Sequence, residues 1–400
     1  MHHSNTISAY ILVLNSGSSS LKFSLYHQHS LELEWSGSIT GIGDKQAKLL
    51  ISDPAGKLLL SKKASYLNLE IAAAELINRL DSLSARFPIQ HIGYRLVQGG
   101  PMHRMPEVIN EDLIKVLESY TYLAPNHLPK EIQLIRIFQQ SYQKAIHIAC
   151  FDTYFHQNMP AVAKFYALPR AFRDQGLMRY GFHGLSYEYI IQELGSKTKD
   201  IEEKKIIIAH LGNGASMAAV SGGIGQETTM GMSPIGGLVM STRSGDLDPG
   251  VSLFFLRKFQ MTLAQLDELF SNSSGLKAIA GTGNMEELIH KRSADPQAQE
   301  AIDVFCYQAK RQIAALAAGL GGLDILIFTG GIGENAPLIR EHICRDMLFM
   351  GIKLDPDLNQ NSENIISTLD STVSIQVIKT NEAWMIAKHI DHLTNTNLKN

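Results

Sequence analysis

Apolar and polar positions along the chain recur with two periods, one near two residues and one near three to four. Tyr10 to Leu14 is an apolar run that enters Asn15-Ser16-Gly17-Ser18-Ser19-Ser20, and LKFSLY then resumes with alternation. This predicts strand, small polar turn, strand. The layout returns in KIIIAHLGNGASMAAV from Lys205, where two apolar runs flank Gly212-Asn213-Gly214 as a hairpin. Two such hairpins, near residues 10 and 205, predict two halves built alike, with a nucleotide cleft between similar domains.

The longer period marks the helices. Leu69, Ala72, Ala73, Leu76, Ile77 and Leu80 form one apolar face across Asn68 to Leu83. Glu131, Leu134, Ile135 and Phe138 predict a helix after the proline-bounded loop LAPNHLP, and Tyr187, Ile190, Ile191 and Leu194 predict another. Val251 to Phe259 and Thr262 to Leu269 read as helices, the second opened by a capping box from Thr262 to Gln265. Ile302, Phe305, Ala309, Ile313, Leu316 and Leu320 form the stripe of a long helix closed by Gly321-Gly322. Strands are predicted in HIGYRLVQGG, AIHIACFDTYF, LDILIFT and VSIQVI, and the chain closes in an amphipathic helix capped at Thr380 or Asn381.

Several polar residues stand out against this pattern, each with an ordinary reading beside the chemical one. Gly212 and Gly214 allow the main chain to approach an anion closely with several N–H groups aimed at it, though most Gly/Asn turns are only turns. Arg243, in STRSGDLDPG, is either a fixed guanidinium for phosphate or a surface ion-pair partner. Lys22 either reaches back to a phosphate or is a solvated strand lysine. Alternation sets Arg95 and Val97 on one face, which suits a small carboxylic acid or, equally, an ion pair beside a core valine. Asp152 ends a strand on the face of Ile146, Ile148 and Cys150, where a carboxylate belongs only if it is used or caps something. His183 sits in a glycine-flanked turn, ordinarily a structural place. Glu382 in a first helical turn complements the helix dipole. LDILIFTGGIGENAPLIRE has the strand–glycine turn–helix order of a nucleotide-binding turn, and no GxxxxGK[ST] occurs in the chain.

Composition narrows the choices. The 400 residues exceed what one core usually holds, so two domains are expected. Hydrophobic content of 44% and charged content of 19% fit an ordinary soluble globular protein. A net charge of −3 supplies no basic field for nucleic acid or an acidic membrane. The three cysteines lie far apart without metal spacing, which predicts a reduced, cytoplasmic chain. The N-terminus lacks a basic region and a long enough apolar run for a signal peptide, His2 and His3 read as a polar tail, and no segment approaches a membrane span.

Taken together, NSGSSSLKF, YRLVQGG, FDTYFHQNMP, RYGFHG, HLGNGAS, TRSGDLDPG, FTGGIGEN and TNEAWMIA resemble the acetokinase family, which includes acetate, propionate and butyrate kinases. They lie in order over nearly the whole chain. The resemblance implies an α/β fold of two duplicated ribonuclease H-like domains of the actin/sugar-kinase type, with nucleotide between them and closure on binding. It implies a first domain of residues 1–152 joined by the helix 383–400, and a second of 153–382 with most nucleotide contacts and a homodimer interface. The activity implied is reversible transfer of the ATP γ-phosphoryl group to acetate or another short-chain acid, with Mg²⁺ (Mn²⁺ able to substitute).

Carried over by position, the resemblance implies that Asn15 and Glu382 help hold the metal. Lys22, His210, Leu211, Gly212, Asn213, Gly214, Asn284, Met285, Glu286, Gly331, Ile332, Gly333, Glu334 and Asn335 would line the nucleotide. Arg95 would take the carboxylate, with Val97, Asn126, Phe182 and Pro234 around the alkyl end, while His183 and Arg243 would stabilise the transferring group and Asp152 would be the acidic catalytic residue. Acetate is already ionised at neutral pH, so cations and aligned donors matter more than a base, and Asp152 is expected to orient Arg, water or metal.

The chain departs from the family's pattern at several places. Tyr94 and Gln98 replace two histidines, Asn126 replaces a pocket leucine, Asn284 and Glu286 replace an Asp and an Arg of the adenosine loop, and Glu227 replaces an Asp. Acid and nucleotide preference stay open on this reading. An actin- or chaperone-like ATPase without acyl-phosphate chemistry is the alternative of a different class.

Overall fold

β1 (Tyr10–Ser16) and β2 (Ser20–His27) form the first hairpin, with Asn15 directly opposite Lys22. The protein is described by a computed structural model covering residues 9–17, 19–83, 87–103 and 105–397. The tail at His2 and His3, Ser18 of the serine turn, and residues 398–400 of the expected terminal helix lie outside the described residues. The chain divides into two compact units, Phe155–Thr380 forming one and the segments before and after it the other.

In the first unit the antiparallel run continues through β3 (Leu33–Thr40), β4 (Ala47–Ser52) and β5 (Leu58–Ala64). β6 (Ile89–Leu96) then lies parallel to β1, β7 (Glu107–Val108) is a short edge, and β8 (Ile146–Phe151) lies parallel to β6. The sheet order is β5-β4-β3-β2-β1-β6-β8-β7. β1 is central and covered on both faces, so Ile11, Leu12 and Leu14 are fully buried. The Leu69–Leu83 helix buries Ala72, Ala73, Leu76 and Leu80, the face its spacing predicts. The Glu382–Asn397 helix packs chiefly on β1 and β6 through Ile386 and Ile390. A β-carbon at Gly93 would sit 2.5 Å from Ile390 Cδ1, so only glycine lets that helix lie down.

The second unit repeats the theme. β9 (Ile206–Leu211), β10 (Ala215–Ser221) and β11 (Ile224–Thr228) form an antiparallel run, and β12 (Ile325–Thr329) and β13 (Ser374–Val377) follow in parallel, in the order β11-β10-β9-β12-β13. Five strands of the first unit, β3-β2-β1-β6-β8, have the same order and the same directions. The duplication read from the two hairpins is therefore present, and the fold is α/β with two mixed sheets of the actin/sugar-kinase type. All six residues of β9 are buried. The Pro296–Leu320 helix buries Ile302, Phe305, Ala309, Ile313 and Leu316 and ends at Gly321 in the left-handed region. The Thr262–Gln265 capping box forms as expected.

Some local readings change. β6 stops at Leu96, so the alternation meant to place Arg95 and Val97 on one face ends before Val97. Ile146, at the first position of β8, is exposed rather than on a buried face. The Pro249–Lys258 helix buries none of its side chains, although its sequence is as apolar as a core helix. The glycine turn after β12 is itself helical: Gly330–Asn335 begins at once after Thr329. Among the described residues no helix is long and apolar enough to cross a membrane.

Candidate functional site

The ends of β1, β6 and β8 and the start of the Glu382–Asn397 helix bring together four residues the sequence singled out. Arg95 Nε donates to Asp152 Oδ1 at 2.9 Å and Nη2 to Oδ2 at 2.5 Å, a bidentate pair. Its third nitrogen donates to Asn15 Oδ1 at 3.2 Å, and Glu382 Oε2 lies 3.7 Å from Nε. Asp152 is 1% exposed and Arg95 16% in their side chains. Burial alone would lower the guanidinium's pKa, but Asp152 and Glu382 outweigh it and raise it, so this cation is permanent. Lys22 is exposed on β2 across from Asn15. Among the described residues no three His, Cys, Asp or Glu side chains gather as a metal cage. The donors here are hard oxygens from Asn15, Asp152 and Glu382. Such a set suits a hard divalent cation that keeps several waters and takes others of its ligands from phosphates.

The residues that replace family histidines are structural. Tyr94 is fully buried and bonds His147 Nδ1 at 2.7 Å, while His147 Nε2 donates to the Tyr142 carbonyl. Gln98 Oε1 accepts the Gly100 N–H at 2.8 Å, closing the turn after β6. Val97 is buried and Asn126 exposed ahead of the Leu128–Ser141 helix.

In the second unit the centre is Gly214. A β-carbon there would lie 3.3 Å from His183 Nε2 and 3.6 Å from Arg243 Nη1, so the glycine turn, the imidazole and the guanidinium share one small space. His183 caps the Gly184–Lys197 helix with φ 58°, an uncommon conformation for a residue other than glycine. Its Nδ1 lies 2.8 Å from Ser216 Oγ, which is hydrogen-bonded in turn to the Tyr187 hydroxyl. His210 stacks on His183 with centroids 4.3 Å apart and is held by Ser186 Oγ at 2.8 Å. Arg243 Nη1 donates to the Pro234 carbonyl at 3.1 Å. Phe182 is buried, and its carbonyl accepts from His156 Nε2 at 3.0 Å.

The two glycine-rich turns of this unit are neighbours because Thr329 pairs with His210 across β12 and β9. A β-carbon on Gly330 (φ 76°) would meet the Leu211 carbonyl oxygen at 2.8 Å, and one on Gly212 would lie 3.9 Å from Gly331 N. Gly331 and Asn335 are exposed, while Ile332 and Gly333 are buried. Glu334 is committed to the scaffold: its Oε1 accepts from Gly330 N at 2.9 Å and Thr380 N at 3.1 Å. Asn213 is tied to Ser241 through backbone and side chain. Asn284 caps the Met285–Lys291 helix, accepting from Glu286 N and Glu287 N, with Met285 buried and Glu286 exposed.

Sequence reasoning missed the residues that orient these groups. Ser216 and Tyr187 read as strand and apolar-helix positions. Arg340, fully buried, donates to the Gly333 and Glu334 carbonyls and to Asn359 and Ser362, bracing the Gly330–Asn335 helix from behind. Glu131 lay in plain view on an apolar stripe, i to Leu134, Ile135 and Phe138, and a carboxylate at that place was the available signal.

A duplicated sheet of this order, with glycine turns facing an imidazole and a guanidinium, fits a phosphotransferase of the kinase class, and the chain's relatives place it there. Within it, the chain belongs to the acetokinase family, whose model matches residues 10–388. It is 39% identical over 395 residues to an acetate kinase of Rhodopseudomonas palustris strain TIE-1, covering 96% of this chain and 98% of the relative. To an acetate kinase of Carboxydothermus hydrogenoformans it is 38% identical, covering 94% and 97%. Among solved structures it is similar to a propionate kinase from Francisella tularensis (TM-score 0.89, 33% identity, 95% and 98% covered). It is also similar to the acetate kinase of Porphyromonas gingivalis (TM-score 0.83, 32% identity, 97% and 99% covered).

Proposed function

We propose that this chain transfers the γ-phosphoryl group of ATP to acetate, reversibly and in line, giving acetyl phosphate and ADP. The observation that carries the reading is the Arg95 cluster: a permanent guanidinium, held flat by Asp152 and Asn15, at the carboxyl ends of parallel strands. That is where open α/β sheets bind ligands, and a planar fork is the right partner for a carboxylate. The relatives named acetate kinase, at 38–39% identity over nearly the whole chain, support the same acid.

Acetate needs no base to become a nucleophile, so the task is to bring one anion onto another. Arg95 would orient the acid. The His210–Gly214 turn and the Gly330–Asn335 helix N-terminus would hold nucleotide phosphates with backbone N–H groups. Arg243 would meet the charge that spreads over the transferring oxygens. With Tyr187 donating to Ser216 and Ser216 to Nδ1, the proton of a neutral His183 sits on Nε2, the atom that faces Gly214, ready to donate to a phosphoryl oxygen. Asp152 orients Arg95 and accepts no proton. Mg²⁺, with Mn²⁺ as a substitute, would neutralise phosphate charge when bound, with Asn15, Glu382 and Asp152 as its protein donors.

The reading extends to a cytoplasmic homodimer. The exposed Leu253, Phe254, Leu256, Phe259 and Leu263 of the second unit are the kind of apolar surface a self-association covers. Light scattering giving the mass of one chain at micromolar concentration would refute that part. Hydroxamate trapping of acyl phosphate with acetate, propionate and butyrate tests the whole. Acetate giving the highest kcat/KM is expected. Preference for propionate, the substrate in the Francisella relative's name, would move the assignment within the family. ATP hydrolysis without acyl phosphate would overturn it.

A further inference from the structure

Glu131 is a buried acid that the transfer chemistry leaves unused. It lies in the first turn of the Leu128–Ser141 helix and is 2% exposed. Its Oε2 accepts the Val97 N–H at 3.1 Å, and its Oε1 is buried without a hydrogen-bond partner among the described residues. Val97 is the first residue after β6 and the second after Arg95, so this carboxyl fixes how the acid-facing end of β6 leaves the sheet. Among the described residues no cation forms an ion pair with it. Arg95 is engaged by Asp152 and Asn15, and Glu382 stands close by.

The charge count gives the position its meaning. One guanidinium already faces two carboxylates, Asp152 and Glu382. That sum is already negative and is offset only when a divalent cation is bound, so an ionised Glu131 would add one more negative charge beside the acid site and weaken its hold on a carboxylate. We propose that Glu131 is a positioning residue for the acid substrate: as a neutral carboxylic acid it holds Val97 in place, and its ionisation weakens the hold of the Arg95 cluster on carboxylates. The inference rests on the carboxylate-kinase reading above.

The surroundings agree. Burial pushes the Glu131 carboxyl up to about 8, against the pull of the Val97 N–H and Arg95, with Asp152 adding to the rise. Arg95 on β6 and Asp152 after β8 are the charged groups that bear on it. Charges from the neighbouring helices, Glu70, Glu111 and Glu118, meet Gln133 and Arg136 on the solvent side of its helix instead. On β1 the titratable side chain is Tyr10, at the far end of the strand.

The test is the KM for acetate and for ATP in the full chain, as wild type, Glu131→Gln and Glu131→Ala, from about pH 6.5 to about pH 9.5. Wild type should show the acetate KM rising about tenfold between about pH 7 and about pH 9, as one proton leaves. Glu131→Gln keeps an acceptor for Val97 N–H and stays neutral, so its acetate KM should stay level over that range. Glu131→Ala leaves the Val97 N–H unpaired and should raise the acetate KM about tenfold at pH 7, with the ATP KM unmoved. An alkaline rise that persists in Glu131→Gln, or acetate and ATP KM values that move together, overturns the proposal. Should Glu131→Ala not fold, by its thermal melt, Glu131→Gln decides alone. A wild-type chain that forms no acyl phosphate sinks the functional reading instead.

Discussion

The two units carry the same five-strand plan and solve opposite electrostatic problems with it. Where β1, β6 and β8 end, the first unit concentrates ionised groups: Arg95, Asp152 and Glu382, with Asn15 completing the guanidinium's contacts. Where β9 and β12 end, the second unit sets one guanidinium, Arg243, among neutral donors and relies on shape. Glycines admit the backbone, and Ser216, hydrogen-bonded to Tyr187, lies against Nδ1 of His183 while Nε2 faces Gly214. A carboxylate is small and needs a single strong partner, whereas a triphosphate spreads its charge and is better met by many weak donors. Topology sets where a site lies; residue type at the strand ends sets what it attracts.

The contrast can be broken at its charged pole. Arg95→Ala should lower kcat/KM for acetate about a thousandfold or more, and removing one partner of so buried a pair costs about 3–5 kcal/mol of stability. Arg95→Lys, which keeps the charge but not the fork, should recover stability better than activity, measured by thermal melts beside kinetics. A loss confined to the ATP KM would show that Arg95 belongs to the wrong reactant.

At the neutral pole the effects are smaller. Ser216→Ala removes the partner of His183 Nδ1 and should lower kcat about ten- to a hundredfold, with the acetate KM nearly unchanged. A change in acetate KM without one in kcat would mean the Ser216 contact serves binding, erasing the difference between the units.

The least effect is in stability against pH, where the units should oppose each other. In the first, Glu131 has its folded pKa raised to about 8 from 4.5, so its contribution is full below 4.5 and lost as pH rises through about 8. In the second, buried His156 is lowered to about 4 from 6.5, burial being the main cause. Its contribution is full above 6.5 and lost as pH falls through about 4. Hydrogen exchange resolved by unit should show the first loosening in alkali and the second in acid. Both loosening at the same end would contradict the assignment.

Much of this was legible in the residue order, because hairpins and glycine turns obey local rules. Apolar run, small polar turn, apolar run identified both β1–β2 and β9–β10, and with them the duplication. The Arg95, His183 and Arg243 positions also stood out, since strand ends and tight turns mark themselves. What stayed hidden were residues whose meaning depends on distant partners. Ser216 takes its role from His183, and Arg340 from the Gly333 and Glu334 carbonyls and from Asn359. The Pro249–Lys258 helix was legible as a helix, but not which of its residues are covered: its apolar residues are left unburied, and periodicity does not say what covers a face.

The Glu382–Asn397 helix has one more consequence. It belongs to the first unit, seated on Gly93, yet it is synthesised only after the whole of the second. During translation the early sheet must wait, its Ile386 and Ile390 seat bare, until the ribosome has made everything in between. A chaperone that shields nascent chains would have its longest task there, and a chain halted at Thr380 would carry a finished second unit beside a first one still open.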